Sequence, residues 1–160
     1  VAGIAGGIFV VLAVRVAGWL TGAAGDLCAL GGVILTGRED AAGWIAGAVA
    51  QLIIAVIAAL VYAAIFEHAT RRAGALIGLA IGVPHAVLAG LALGFIPVSR
   101  LLDAGISPPG AFMEYRGWCV TATFVLAHIA FGTLMGWSYG STGHGPSASP
   151  YRWQDVSAGP

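Results

Sequence analysis

Long apolar runs separated by short polar stretches set the pattern of this chain. Four runs stand out, at residues 2–23, 43–66, 73–98 and 118–139. A bilayer hydrocarbon core about 30 Å thick takes roughly 20 residues of helix to cross, so each run is long enough. The period-two alternation of barrel strands is missing from them. In lipid every backbone polar group needs a partner within the protein, which leaves helices. The expected fold is therefore all-α: a polytopic membrane protein with four transmembrane helices, a short interfacial helix and a C-terminal tail. Residues 1–139 form the transmembrane domain, and the Gly/Ser/Pro-rich residues 140–160 are expected to be flexible or laid on a partner.

The polar punctuation refines this picture. Between the first two runs, the stretch from Gly25 to Leu35 is too short to cross. Its Asp26 is placed to cap a short helix at the interface, since a carboxylate accepts the orphan N–H groups of a first turn. Arg38, Glu39 and Asp40 then lie in water. Residues 99–117 contain Ser-Pro-Pro-Gly and predict an ordered external loop. Trp19, Trp44, Trp118, Tyr62, Trp137 and Tyr139 fall near run ends and are expected to form the interfacial aromatic belt. Tyr151 and Trp153 are the anchors visible in the tail.

Composition agrees with lipid as the solvent. Of 160 residues, 59% are hydrophobic and 9% charged, with mean hydropathy +0.92. A soluble domain carries about 25% charged residues, so a water-exposed globule is excluded. Formal net charge is zero, which points to no nucleic-acid partner. Cys28 and Cys119 are too few for a disulfide framework or a cysteine metal site. They fall near the same membrane face, where a disulfide between them is open, and two free thiols are the expectation. The first run lacks a basic leader region and is taken as a span that stays. Basic residues divide evenly, Arg71, Arg72 and Arg152 on one face against Arg38, Arg100 and Arg116 on the other. The adjacent Arg71–Arg72 pair in a short loop favours that face as cytoplasmic, with both termini inside and a bacterial inner membrane as the location.

The third run holds the clearest internal pattern: Gly74, Gly78, Gly82, Ala86, Gly90 and Gly94 place a small residue at every fourth position. Four residues turn a helix about 400°, so the row drifts slowly around the axis. A neighbouring helix can follow it with close backbone contact. Shorter rows occur at Gly3/Gly7, Gly18/Gly22, Gly43/Gly47 and Gly132/Gly136/Gly140. Whether the partner of the long row belongs to this chain or to another subunit stays open.

Polar side chains at membrane depth are costly and usually face protein or water. Four occur: Arg15, Gln51, His85 and His128. The two histidines lie at the midpoints of their spans, and Arg15 and Gln51 are each displaced roughly 5 Å toward one face at 1.5 Å per residue. A single buried polar cluster of all four is the expectation. Facing imidazoles can ligate a haem b, and one alone can hold a chlorophyll magnesium. The structural alternative pairs the histidines with each other, with Gln51, or with a carbonyl freed by Pro84, which removes a helical hydrogen bond. Arg15 is expected either to snorkel to the headgroups or to meet a carboxylate or phosphate. His68 and His144 are expected to be solvated. Enzyme motifs are missing: no phosphate-binding loop, no zinc-protease motif and no nucleophile elbow. The span cores carry no acidic residue either, which counts against proton-coupled transport.

The stretch from Gly74 through the central His85 to Pro97, Pro109-Gly110 with Phe112, and Ala127-His128 through Gly132 and Gly136 to Tyr139 resembles a family of small four-span bacterial membrane proteins of unknown function. Asp26 to Gly31 and Trp44 are similar to the family's earlier half. The resemblance implies a four-helix membrane fold and supplies no activity. The expected function is a non-catalytic accessory or structural subunit of a larger membrane complex, respiratory or photosynthetic in type. Its partners are expected to be other integral membrane subunits and lipids, with no metal, no catalytic residue and no cofactor. A haem b or chlorophyll subunit using His85 and His128 is the alternative, and a small transporter the third.

Overall fold

The structure is a computed structural model, and it describes residues 1–23 and 25–141. The expected tail anchors Tyr151 and Trp153, with Arg152 and His144, lie outside the described residues. The described chain is all-helical. Helix α1 spans Ala2–Thr21, α2 Leu27–Thr36, α3 Ala41–Ala64, α4 Ala75–Gly94, α5 Val98–Asp103 and α6 Trp118–Ser141. Among the described residues, four helices are long and apolar enough to cross a membrane: α1, α3 with its extension, α4 and α6. Helices of this length and apolarity are consistent with an integral membrane protein.

Local chemistry sets the helix ends. Asp26 caps α2 as its position predicts, its Oδ1 accepting from the N–H groups of Cys28 (2.9 Å) and Ala29 (3.0 Å). Asp40 does the same for α3 through the Gly43 N–H. Gly22 and Gly37 end α1 and α2 in the left-handed conformation that glycine adopts without steric cost. α3 does not stop at residue 66 but continues as a wider π-helical stretch, Ile65–Thr70, so this span runs 30 residues. That extension corrects the aromatic belt. Tyr62 is eight residues inside the helix end, about 12 Å deep, and is 3% exposed. It is a core residue. Trp19 and Trp118, by contrast, are broadly exposed at their helix ends.

Helix packing follows the glycines. On α4, a Cβ at Gly78 would strike the Gly132 carbonyl and lie 2.9 Å from the Gly136 Cα, and one at Gly82 would lie 2.8 Å from the Ile129 carbonyl. The first half of the long glycine row is thus spent on α6 of the same chain. Its second half faces the loop: the Phe112 ring occupies the space that a side chain at Gly90 would need, and Gly94 adjoins Ala111. Gly74 takes part through its backbone, its carbonyl lying where a Cβ at Gly136 would fall. It precedes α4, and a Cβ of its own would meet open space. α1 lies between α3 and α6, with Gly3 and Gly7 against Ala59 and Ala55 and Gly6 against Phe131. α2 and α3 meet through Gly32, Gly43 and Gly47.

The loop between α4 and α6 is ordered. It contains α5 and a 3-10 turn, Ala111–Arg116. Leu101 is buried against Leu30 and Val33 of α2, and Arg100 donates to the Ile34 carbonyl at 2.8 Å. Phe112 and Met113 both hold left-handed backbone (φ 55° and 63°), a conformation that costs about 1–2 kcal/mol for a residue with a side chain. Burial of Met113 and seating of the Phe112 ring on Gly90 offset it. Both cysteines are free; Cys28 is buried. Burial and the nearby Asp26 push the Cys28 thiol above its usual value, which keeps it protonated and unreactive.

Candidate functional site

His85 and His128 are brought together as the spacing predicts. Their ring centroids lie 5.3 Å apart with planes at 78°, an edge-to-face contact. Around them Tyr62 and Phe131 pack against His85, and Phe124 lies against His128 with centroids 4.2 Å apart. The Tyr62 hydroxyl and His85 Nδ1 share a hydrogen bond at 3.2 Å. His128 Nδ1 is 2.8 Å from the Phe124 carbonyl of its own helix. A carbonyl oxygen only accepts, so Nδ1 carries the proton, and in the neutral ring Nε2 is left as an acceptor. The histidines therefore find Tyr62 and a helical carbonyl, and not the carbonyl freed by Pro84.

Gln51 joins this pair and Arg15 does not. Gln51 lines a small void of about 40 Å³ with His85, His128 and Phe131. The Arg15 guanidinium instead reaches the α2 end of the bundle, 2.8 Å from Asp26 Oδ2, with half of its side chain exposed. It also lies 5.6 Å from the centre of the Trp44 ring. The expected four-member cluster is thus three residues, because an arginine near a helix end gains more from a carboxylate and water than from a dry interior.

Asp26 collects more than a cap. Its Oδ2 accepts from Trp44 Nε1 at 3.0 Å as well as from Arg15, so one carboxylate ties α1, α2 and α3. The sequence signalled the cap; the junction was missed, since nothing local indicates that Arg15 and Trp44 converge on it. At the opposite end of the bundle the Tyr139 hydroxyl donates to Glu67.

Beside the histidine pair lies a larger cleft of about 330 Å³, between the α2–α3 and α4–α6 pairs. Its walls are apolar, including Leu30, Ile34, Ile54 and Leu93, and Gln51 and His128 are its polar side chains. Leu35 and Ile54 at its rim are more than half exposed, so the cleft opens on the side of the bundle.

The two rings do not fit a haem between them. A flat macrocycle would have to separate imidazoles that are already in contact, and the void touching both holds about one water, whose liquid volume is about 30 Å³. Among the described residues no group of three or more His, Cys, Asp or Glu is arranged to hold a metal ion. No family model, curated protein or solved structure matches the chain.

Proposed function

We propose that this chain is a non-catalytic subunit of a larger membrane assembly, working by lateral contact with other integral membrane proteins. The observation that carries it is the outer face of α3. Ile45, Val49, Ile53, Ile57 and Leu60 form one row along this 30-residue span, each more than half exposed. Four of the five are β-branched and stiff at χ1, so a neighbouring helix can pack on them at little cost in side-chain entropy. Most polar groups, meanwhile, are engaged in caps, ring contacts and the Asp26 junction, with Gln51 and His128 Nε2 as exceptions. The glycine row of α4 lends no support, since α6 and the loop use it.

In this reading the protein resides in a bacterial inner membrane, with the Arg71–Arg72 loop and both termini in the cytoplasm. A photo-crosslinking residue at Ile53 or Ile57 in native membranes tests it. The expected result is a discrete adduct with one integral membrane protein, co-purifying in mild detergent. A lone monomer that gives lipid adducts alone would refute the subunit reading.

A further inference from the structure

The cleft between the α2–α3 and α4–α6 pairs leaves hydrogen-bonding capacity unmet at membrane depth. Among the described residues, the Gln51 carboxamide makes no hydrogen bond and His128 Nε2 has no partner, although both line the 330 Å³ cleft. Polar groups without partners are expensive where no bulk water is at hand. The volume lies at the lower end of the range of small-ligand pockets, which are mostly apolar with a few placed polar groups. We infer that this cleft binds a neutral, ring-headed lipid of the prenylated hydroquinone class, entering sideways from the bilayer.

Three features select that chemistry. No charged side chain lines the cleft, so a phosphate or carboxylate head would be desolvated without compensation. The other wall residues are apolar, Leu30, Ile34, Ile54 and Leu93 among them, which suits a neutral head and a hydrocarbon chain. The protonation of His128 then sets the polarity: Nδ1 donates to the Phe124 carbonyl, so Nε2 requires a ligand that donates. A hydroquinone hydroxyl supplies that proton and can accept from the Gln51 amide, while its chain leaves past Leu35 and Ile54. The oxidised quinone has carbonyls alone and would leave Nε2 unpaired.

The test titrates the purified protein in nanodiscs with a benzohydroquinone carrying a decyl chain, kept reduced under anaerobic conditions, beside its quinone and plain decanol. Saturable binding of the hydroquinone is expected, with the quinone about tenfold weaker from one unmet buried acceptor. Gln51→Leu is expected to weaken hydroquinone binding by a similar factor. Ala89→Phe, which fills the cleft, should abolish it. Equal affinity for hydroquinone and quinone, or for decanol, on the unmodified protein would overturn the inference without requiring any variant to fold. So would full binding by a folded Ala89→Phe protein. The subunit reading stands apart from either result, because its row of residues on α3 faces away from the bundle.

Discussion

Along the α4–α6 seam the two backbones touch; between α3 and α4, on the same bundle, a cleft stays open. At the seam Gly78, Gly132 and Gly136 remove every side chain from the contact, so that an added Cβ at any of them falls on the partner's backbone. On the open side the facing residues are Ile54, Ala89 and Leu93, with Gln51 and His128 behind them. The difference shows how a membrane bundle can be held without a hydrophobic driving force. Dispersion across a close backbone contact does the holding where side chains vanish. Where side chains of mixed size meet, the surfaces do not close and a cleft remains.

Substitutions that break this contrast should rank as follows. The largest loss is expected for Gly78→Leu or Gly136→Leu, which drives a side chain into opposing backbone that cannot yield. The cost should exceed about 3 kcal/mol, above the usual range for overpacking. Thermal unfolding in detergent reads it, with Leu88→Ala on the exposed face of α4 as a near-neutral control. A Gly78→Leu protein that melted with the parent would show that the seam is not where stability resides.

Asp26→Ala comes next, at about 2 kcal/mol. It removes a cap worth about 1 kcal/mol, the Trp44 bond and an ion pair whose contribution is small because Arg15 is half exposed. Arg15→Ala alone should cost less than 1 kcal/mol. If the two variants were equally destabilised, the cap and the Trp44 bond together would contribute nothing. Trp44 fluorescence should shift in Asp26→Ala as its indole N–H loses its partner.

Tyr62→Phe sharpens the comparison at the histidine pair, which lies between seam and cleft. Losing the hydroxyl at His85 Nδ1 should cost about 1 kcal/mol, and the ring nitrogen resonance of His85 should move in 15N spectra while that of His128 holds. An unmoved His85 resonance would mean the bond is not formed.

The smallest effect lies outside both regions. Arg38 and the Gly43 N–H hold the Asp40 carboxyl below its ordinary value. A depressed folded value means the stabilisation is present above the unfolded pKa, about 3.9, and is lost as pH falls through the folded one. Hydrogen exchange at the first turn of α3 should therefore accelerate in that acid window. In Arg38→Ala the onset should come at higher pH; an unchanged onset would remove the pair from the account.

Much of this was legible from residue order, and the exceptions have definite causes. The α2 helix and its Asp26 cap were visible because capping needs only a carboxylate and the two or three residues after it. The depth match of His85 with His128 followed from counting along antiparallel helices. Tyr62 was misplaced in the aromatic belt because the π-helical extension to Thr70 carries polar residues, Glu67 and His68, that signal a span end. Arg15 was grouped with Gln51 on depth alone, whereas its long side chain can reach out to Asp26.

Residue order by itself therefore determined the helical class, the four runs long and apolar enough for a bilayer and the position of each polar group along its run, since hydrophobic length and rise per residue are one-dimensional quantities. Which glycine meets which backbone, that the long row is spent within the chain, and that Gln51 and His128 border a cleft while Arg15 leaves it were decided only in three dimensions. Those depend on the rotation and tilt of each helix against its neighbours, and side chains from distant parts of the chain set both together.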